Sequence, residues 1–407
     1  MFPLGPPARV GGMTVPSSPP PRRGWPAVLA VATATFLVVT SEMLPVGLLT
    51  SIGPDLGVSA GTAGLAMTVP GLVAALSAPA LSAATARLDR RAVLAVLAGL
   101  LAAADLGSAI APGLPALLAS RVLVGVAIGG VWAIAGGLAA RLVPERSAGA
   151  ATSVIFGGVA VASVAGVPAG TLIGDLAGWR AAFAAAGTLS LVACAALAAL
   201  LPPLPGTGAA GLAAMPQVLR APRAQAGLLV TFLLVTGHFA AYTYVRPVLE
   251  RVSGVDPDLI STLLLVYGVA GIAGNFTAGT AAARAPRRTL IRITVLLAPA
   301  VLLFPLAGRS PLPAIVLLVL WGVAYGGVSV TLQNWLLQAV PPHAAEPASA
   351  LFVATFNLAI SLGALAGGQM TDTTGETGVM WLGGTLAALA LATAATTRRP
   401  LRQRAPQ

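Results

Sequence analysis

The chain has 407 residues, 57% of them hydrophobic and only 9% charged, with a mean hydropathy of +0.90. Soluble domains run at roughly 45–50% apolar and about 25% charged residues, so a water-soluble globule is excluded and an all-α polytopic membrane protein is expected. The formal charge of +11 would suit a nucleic-acid partner only if the basic residues formed one patch, but there is no lysine and the arginines fall in short clusters between apolar runs, so no nucleic acid is expected.

The leader, residues 1–25, is rich in Pro and Gly and has no hydrophobic segment of its own, which predicts a disordered cytoplasmic tail and no secretory signal. Apolar runs long enough to span a bilayer as helices then recur twelve times, near 26–51, 62–84, 91–111, 114–140, 148–174, 180–201, 225–248, 258–283, 289–307, 312–339, 347–371 and 377–396. Residues 26–201 are expected to form one six-helix bundle and 225–397 a second. Between them, 202–224 read as a cytoplasmic Pro/Gly linker, and 398–407 as a basic cytoplasmic tail. Every second loop is arginine-rich, while the others carry Asp55, Asp175, Glu250, Asp256, Asp258, Asp372 and Glu376. This positive-inside pattern puts both termini in the cytoplasm of a multi-pass protein of the bacterial inner membrane. Cys194 lies in an apolar run and reads as a small packing residue, with no disulfide or metal cluster expected.

The two halves repeat each other. SAATARLDRR at 82–91 aligns with GTAAARAPRR at 279–288, and GVPAGTLIGD at 166–175 with GALAGGQMTD at 363–372, at one constant offset. Repeated six-helix halves related by an axis along the membrane normal are a device of secondary transporters, with the substrate site between the halves.

Charge near the bilayer centre costs about 2.5–3.5 kcal/mol on the insertion scale, so ionisable residues there are functional candidates. Glu42, within TSEMLPVG, lies roughly 13 Å below the outer end of the first span, and Arg121 of the fourth roughly 10 Å below the same surface. The two are expected at one depth, either as a proton-coupling site or as a static pair. Pro45 frees a carbonyl one turn earlier, near Glu42, and bends the helix. Asp105 lies nearer an outer end and is expected to snorkel. His238 aligns beside Glu42 at the repeat offset; proton handling, a hydrogen bond to substrate and plain packing all suit it. Tyr242 and Tyr244 divide between the cavity and the interfacial belt, and Arg246 falls at the mouth. Asn275, Gln333, Asn334 and Asn357 are amides within spans, suited to bonding hydroxyl-bearing substrates or to joining helices; Asn357 is the preferred cavity residue. Gly158, Gly166, Gly170 and Gly174 recur at helical spacing with Pro168, which lets helices approach closely.

The words TSEMLPVGLLTSIGPDLGVS, RVLVGVAIGG, GVPAGTLIGDLAGWRAAF, TGHFAAYTYVRPVLE and LFVATFNLAISLGALAGG resemble the major facilitator superfamily. Within it they resemble the drug/proton antiporter branch that holds bacterial sugar, arabinose and purine-ribonucleoside efflux proteins. The resemblance implies that Arg121, followed by Gly125, is the basic residue of the fourth span. It also implies that Gly166, Pro168, Gly170 and Gly174 form the antiporter word, serving packing and gating. In the loop after the second span, Ser82, Ala86 and Asp89 stand where the family has a glycine, an aspartate and a second glycine. Arg87, Arg90 and Arg91 are retained, and Asp89 stands in for part of the cytoplasmic latch.

No nucleophile elbow, phosphate loop or metal cluster is legible, so no enzyme and no cofactor are expected. The expectation is a proton-gradient-driven exporter of a small solute (a drug, sugar, nucleoside or related metabolite), working by alternating access as a monomer among membrane lipids. Glu42 and Arg121 would couple protons, and His238, Tyr242, Asn357, Asn275 and Gln333 would line the cavity. A facilitator or importer of the same fold, or a non-transporting receptor or scaffold, are the alternatives.

Overall fold

The computed structural model describes residues 24–135, 138–206, 215–341 and 344–397. Residues 1–23 of the expected tail 1–25, the expected tail 398–407 and the linker residues 207–214 lie outside the described residues, whereas Gly24 and Trp25 already belong to a helix. Among those described there is no strand, and twelve helices are long and apolar enough to cross a membrane. They are α1 (Gly24–Leu56), α2 (Ala60–Leu81), α3 (Arg90–Ala109), α4 (Leu114–Ala135), α5 (Arg146–Ala177) and α6 (Trp179–Leu200), then α7 (Pro222–Tyr242), α8 (Pro257–Arg284), α9 (Pro286–Ala307), α10 (Pro311–Gln338), α11 (Pro347–Thr374) and α12 (Glu376–Thr396). Helices are the expected answer in lipid, where every backbone donor and acceptor must be satisfied within the segment. Five of them, α7 to α11, begin on a proline, whose missing N–H costs nothing in the first turn.

α1 runs five residues past its expected end, through Pro54 to Leu56. The added turn is fastened by Asp55, which accepts a hydrogen bond from Trp179 Nε1 at 3.1 Å and pairs with Arg180. Part of the expected linker is also helical, over Met215–Arg220.

The halves repeat in three dimensions. α3 packs on α6 as α9 packs on α12; α2 on α4 as α8 on α10; and α1 on α5 and α6 as α7 on α11 and α12. The four glycines with positive φ form two pairs at the repeat offset, Gly57 (65°) with Gly254 (63°) and Gly178 (87°) with Gly375 (78°). Each pair makes the same inter-helix turn in a conformation that side chains with a Cβ disfavour. At the basic ends, Arg91 reaches the carbonyl of Ala198 at the close of α6, and Arg287 bonds the Ala394 carbonyl at 2.8 Å and the Ala395 carbonyl at 2.6 Å at the close of α12.

The core is not divided equally between the halves. One buried cluster, including Val28, Leu37, Leu97, Val131, Ile155 and Leu197, belongs to the first half alone and lies toward its arginine-rich end. The other joins first-half residues from the acidic end, such as Leu48, Ile52, Met67 and Phe183, to the core of the second half. The halves therefore meet over the acidic end, where α11 packs on α2 and α8 packs on residues 162–177 of α5.

Candidate functional site

Three ionisable side chains meet inside the first half. Arg121 and Asp105 are fully buried and Glu42 is 4% exposed. Asp105 does not snorkel to an interface as expected. Its Oδ1 accepts from Ser41 Oγ at 2.6 Å and lies 3.9 Å from Arg121 Nη1. The carboxylate within ion-pair reach of Arg121 is thus Asp105, and the expected meeting of Arg121 with Glu42 is made through the Glu42 backbone, whose carbonyl accepts from Nη2 at 3.3 Å. Glu42 Oε1 and Asp105 Oδ2 are buried with no hydrogen-bond partner among the described residues.

The guanidinium is held largely by main-chain carbonyls. Nη2 bonds the Ser41 carbonyl at 2.9 Å and Nε the Ala66 carbonyl at 3.0 Å. Ser41 precedes Pro45 by one turn in α1, and Ala66 precedes Pro70 by one turn in α2. A proline has no N–H to give the carbonyl four residues back, so each proline leaves free the oxygen that Arg121 takes. Gly125, one turn beyond Arg121, provides the proximity: a Cβ there would stand 2.5 Å from the Pro70 carbonyl and 2.6 Å from Val73 Cβ. The Phe183 ring, 5.7 Å from the guanidinium carbon, closes one side of the cluster.

The second half has no such charges at the equivalent places. The repeat offset carries Arg121 onto Leu318, Asp105 onto Leu302 and Ser41 onto His238. In their stead lies an aromatic cluster. The His238 imidazole is stacked between Tyr242, at 5.1 Å between centroids, and Tyr325. Its Nδ1 accepts from Trp321 Nε1 at 3.0 Å, which leaves a neutral imidazole with its proton on Nε2. Tyr267 stacks on Tyr242 at 4.8 Å. The sequence reading named His238 and Tyr242 and missed Tyr267, Trp321 and Tyr325. Their signal was present, since three of the chain's four tyrosines lie in this cluster.

The other candidates are distributed as follows. Asn357 is buried, with Nδ2 on the Val353 carbonyl of its own helix at 2.9 Å; its backbone lies against Gly71 of α2, between the halves. Asn275 and Gln333 are exposed. Asp89 caps α3 through the Arg91 N–H at 2.9 Å and also accepts from the Leu204 N–H at 3.0 Å, while Arg90 Nη1 bonds Thr85. That loop thus fastens the start of the linker to the first half, and Arg87 is exposed. Gly166, Gly170 and Gly174 lie against Thr40, Leu44 and Leu48 of α1. Between Gly158 and Pro168, residues Ala162–Gly166 form a π-helical turn, with the Val167 N–H on the Ala162 carbonyl. Pro168 cannot donate to the carbonyl four residues earlier, and such turns recur at functional sites.

At the acidic end, polar bonds cross between the halves. Arg246, expected at the mouth, is 5% exposed there, with Nη2 on Asp175 at 2.8 Å, Nη1 on the Gly47 carbonyl and Nε on Glu250 at 2.8 Å. Asp372 accepts from Ser59 Oγ at 2.7 Å and the Gly61 N–H at 3.1 Å. Tyr244 Oη donates to the Ala364 carbonyl at 2.9 Å and abuts Gly64.

Twelve apolar helices in two matching bundles, with buried charges between helices, define an integral membrane protein built as a transporter. A family model described as Major Facilitator Superfamily matches residues 31–353 and again 227–407. The purine ribonucleoside efflux pump NepI of Salmonella paratyphi B is 35% identical over 378 residues, covering 93% of this chain and 95% of that protein, and the protein of the same name from Salmonella typhimurium matches to the same extent. Two solved structures share the fold. A bacterial homolog of the human lysosomal transporter Spinster, inward-facing and occupied, superposes with a TM-score of 0.75 at 16% identity over 93% of this chain and 96% of that one. A D-xylose-proton symporter does so with a TM-score of 0.72 at 17% identity over 91% and 97%. The chain belongs to the major facilitator superfamily and is a transporter rather than an enzyme.

Proposed function

We propose that the protein is a proton-coupled exporter of a small solute, working by alternating access in the bacterial inner membrane, with both termini cytoplasmic. The bundles 26–201 and 225–397 would be the moving units and 202–224 their cytoplasmic connection. The observation that carries this reading is the set Glu42, Asp105 and Arg121. One cation and two carboxyls are buried together, and each acid has an oxygen without a partner among the described residues. Net charge in such a place is costly, and the set is neutral only when one proton resides on one of its two acids. With Asp105 beside Arg121, Glu42 is the better carrier. A proton taken up from outside and released inside would tip the balance between the two openings.

The positive-inside pattern makes the acidic end the outer face, so the contacts of Arg246, Asp372 and Tyr244 close the protein toward the outside. Cargo identity rests on the relatives named for purine ribonucleoside efflux. A nucleoside is a small, flat-based, hydroxyl-bearing solute, and His238, Tyr242 and Asn357 are suited to lining its path, with Asn275 and Gln333 nearer its open end. No cofactor beyond the proton gradient is invoked, and one chain suffices.

The test is Glu42→Gln in proteoliposomes with an imposed proton gradient. Gradient-driven purine ribonucleoside transport is expected to fall at least about a hundredfold, the scale of losing a positioned proton carrier, while folded protein is still recovered. Transport that stays at the wild-type rate and still follows the gradient would remove Glu42 from the coupling.

A further inference from the structure

We propose that the aromatic cluster of the second half is the base-stacking subsite of the transporter, and that the Tyr267 hydroxyl reads the polar edge of the base. This rests on the purine-nucleoside reading above and adds to it the place and chemistry of recognition. Two observations carry it independently. The first is the stack itself: Tyr242 and Tyr325 lie nearly parallel to the His238 ring, at interplanar angles of 18° and 5°. The two phenol faces therefore already hold one flat nitrogen heterocycle between them. A purine is a larger ring system of the same chemistry, and aromatic faces hold bases without needing charge.

The second observation is a pair of unspent hydroxyls. Tyr267 is 7% exposed, and its Oη, like that of Tyr325, is buried with no hydrogen-bond partner among the described residues. Buried polar groups nearly always find partners, and a phenol in an apolar wall whose partner is missing is matched by a ligand that brings a ring nitrogen or exocyclic oxygen. Trp321, bonded to His238 Nδ1, fixes the imidazole with its Nε2 proton available as a further donor. The stack follows the second-half counterparts of Ser41, Val124 and Ile128, namely His238, Trp321 and Tyr325. Ser41, which bonds Asp105 and Arg121 in the first half, thus has the ring-bearing His238 as its counterpart in the second.

The experiment uses full-length protein in lipid nanodiscs and calorimetric titration of adenosine, with free adenine and free ribose as competitors. Adenine is expected to compete and ribose not to. Tyr267→Phe, which keeps the ring and removes the hydroxyl, is expected to weaken adenosine binding about tenfold or more, as sites lose affinity when one buried polar partner is missing. Tyr325→Leu is expected to weaken it by a similar factor through lost stacking. If Tyr325→Leu does not fold, Tyr267→Phe and the competition pattern decide. Adenosine binding that is unchanged in Tyr267→Phe, or competition by ribose but not adenine, overturns the subsite while leaving the nucleoside reading in place. A wild-type protein that binds no purine nucleoside, yet exports a different solute down the proton gradient, overturns the nucleoside reading and the subsite with it.

Discussion

Arg121 is surrounded by helix backbones, and what lets a guanidinium bond those backbones is the removal of N–H groups that would otherwise occupy their oxygens. Pro45 frees Ser41 and Pro70 frees Ala66, and Arg121 takes both carbonyls at 2.9 Å and 3.0 Å. In a helix interior, alanine is more favourable than proline by about 3 kcal/mol. If the prolines served only as bends, Pro45→Ala with Pro70→Ala would leave transport near normal. If they position Arg121, the double variant melts at the same temperature or higher and yet transports about tenfold more slowly, since returned N–H groups compete for bonds to a charged group worth about 1.5–3 kcal/mol. Thermal melting and vesicle transport, measured on the same preparation, check this. At this scale the sequence already placed Glu42 and Arg121 at one depth and attached a reason to Pro45. It misjudged Asp105, because distance along a helix gives depth and says nothing of the side that faces inward.

Among the elements, α1 and α5 show how small residues set a register. Gly158, Gly166, Gly170 and Gly174 meet α1 near Thr35, Thr40, Leu44 and Leu48, and Thr35 Oγ1 adds a bond to the Ile155 carbonyl at 2.7 Å. At Gly158 a Cβ would stand 2.4 Å from the Ala32 carbonyl, a backbone atom with little freedom to yield, whereas at neighbouring Gly157 it would meet nothing within 4 Å. Overpacking costs about 1–3 kcal/mol, so Gly158→Ala is expected to lower the melting temperature and the transport rate. Gly157→Ala, differing by one position, is expected to change neither, and detergent melting curves of the two variants supply the comparison. Equal effects would mean that general helix strain, rather than contact with α1, is responsible. The spacing of these glycines was legible in the chain; their partner helix was not.

Over the whole molecule, the halves are fastened at one end by Arg246 on Asp175 and Gly47, and by Asp372 on Ser59 and Gly61. Arg246→Ala with Asp372→Asn removes bonds of the charge-assisted kind, each worth about 1.5–3 kcal/mol, from the state closed at that end. The population open there is expected to rise about tenfold or more, since about 1.4 kcal/mol is a factor of ten. A cysteine at Ala364, buried beside the Tyr244 hydroxyl that abuts Gly64 of the other half, in a Cys194→Ser background, reports this through its rate of labelling by an impermeant maleimide added outside cells. Faster labelling in the double variant supports both the clasp and the outward orientation of the acidic end, and an unchanged rate counts against the clasp.

The residues alone were enough to establish a membrane protein of twelve helices in two matching halves, because hydropathy, helix length and repetition are properties of order along a chain. They also singled out Glu42 and Arg121, since charge in an oily segment is conspicuous without coordinates. Tertiary structure decided which carboxylate Arg121 faces, that Asp89 holds the start of the linker against the first half, and that three helices bring Tyr242, Tyr267, Trp321 and Tyr325 around His238. Those outcomes depend on the rotation of each helix about its own axis and on the side of a neighbour it meets. Packing sets both, and in spans apolar on every face the amphipathic stripe that would disclose them in advance is absent.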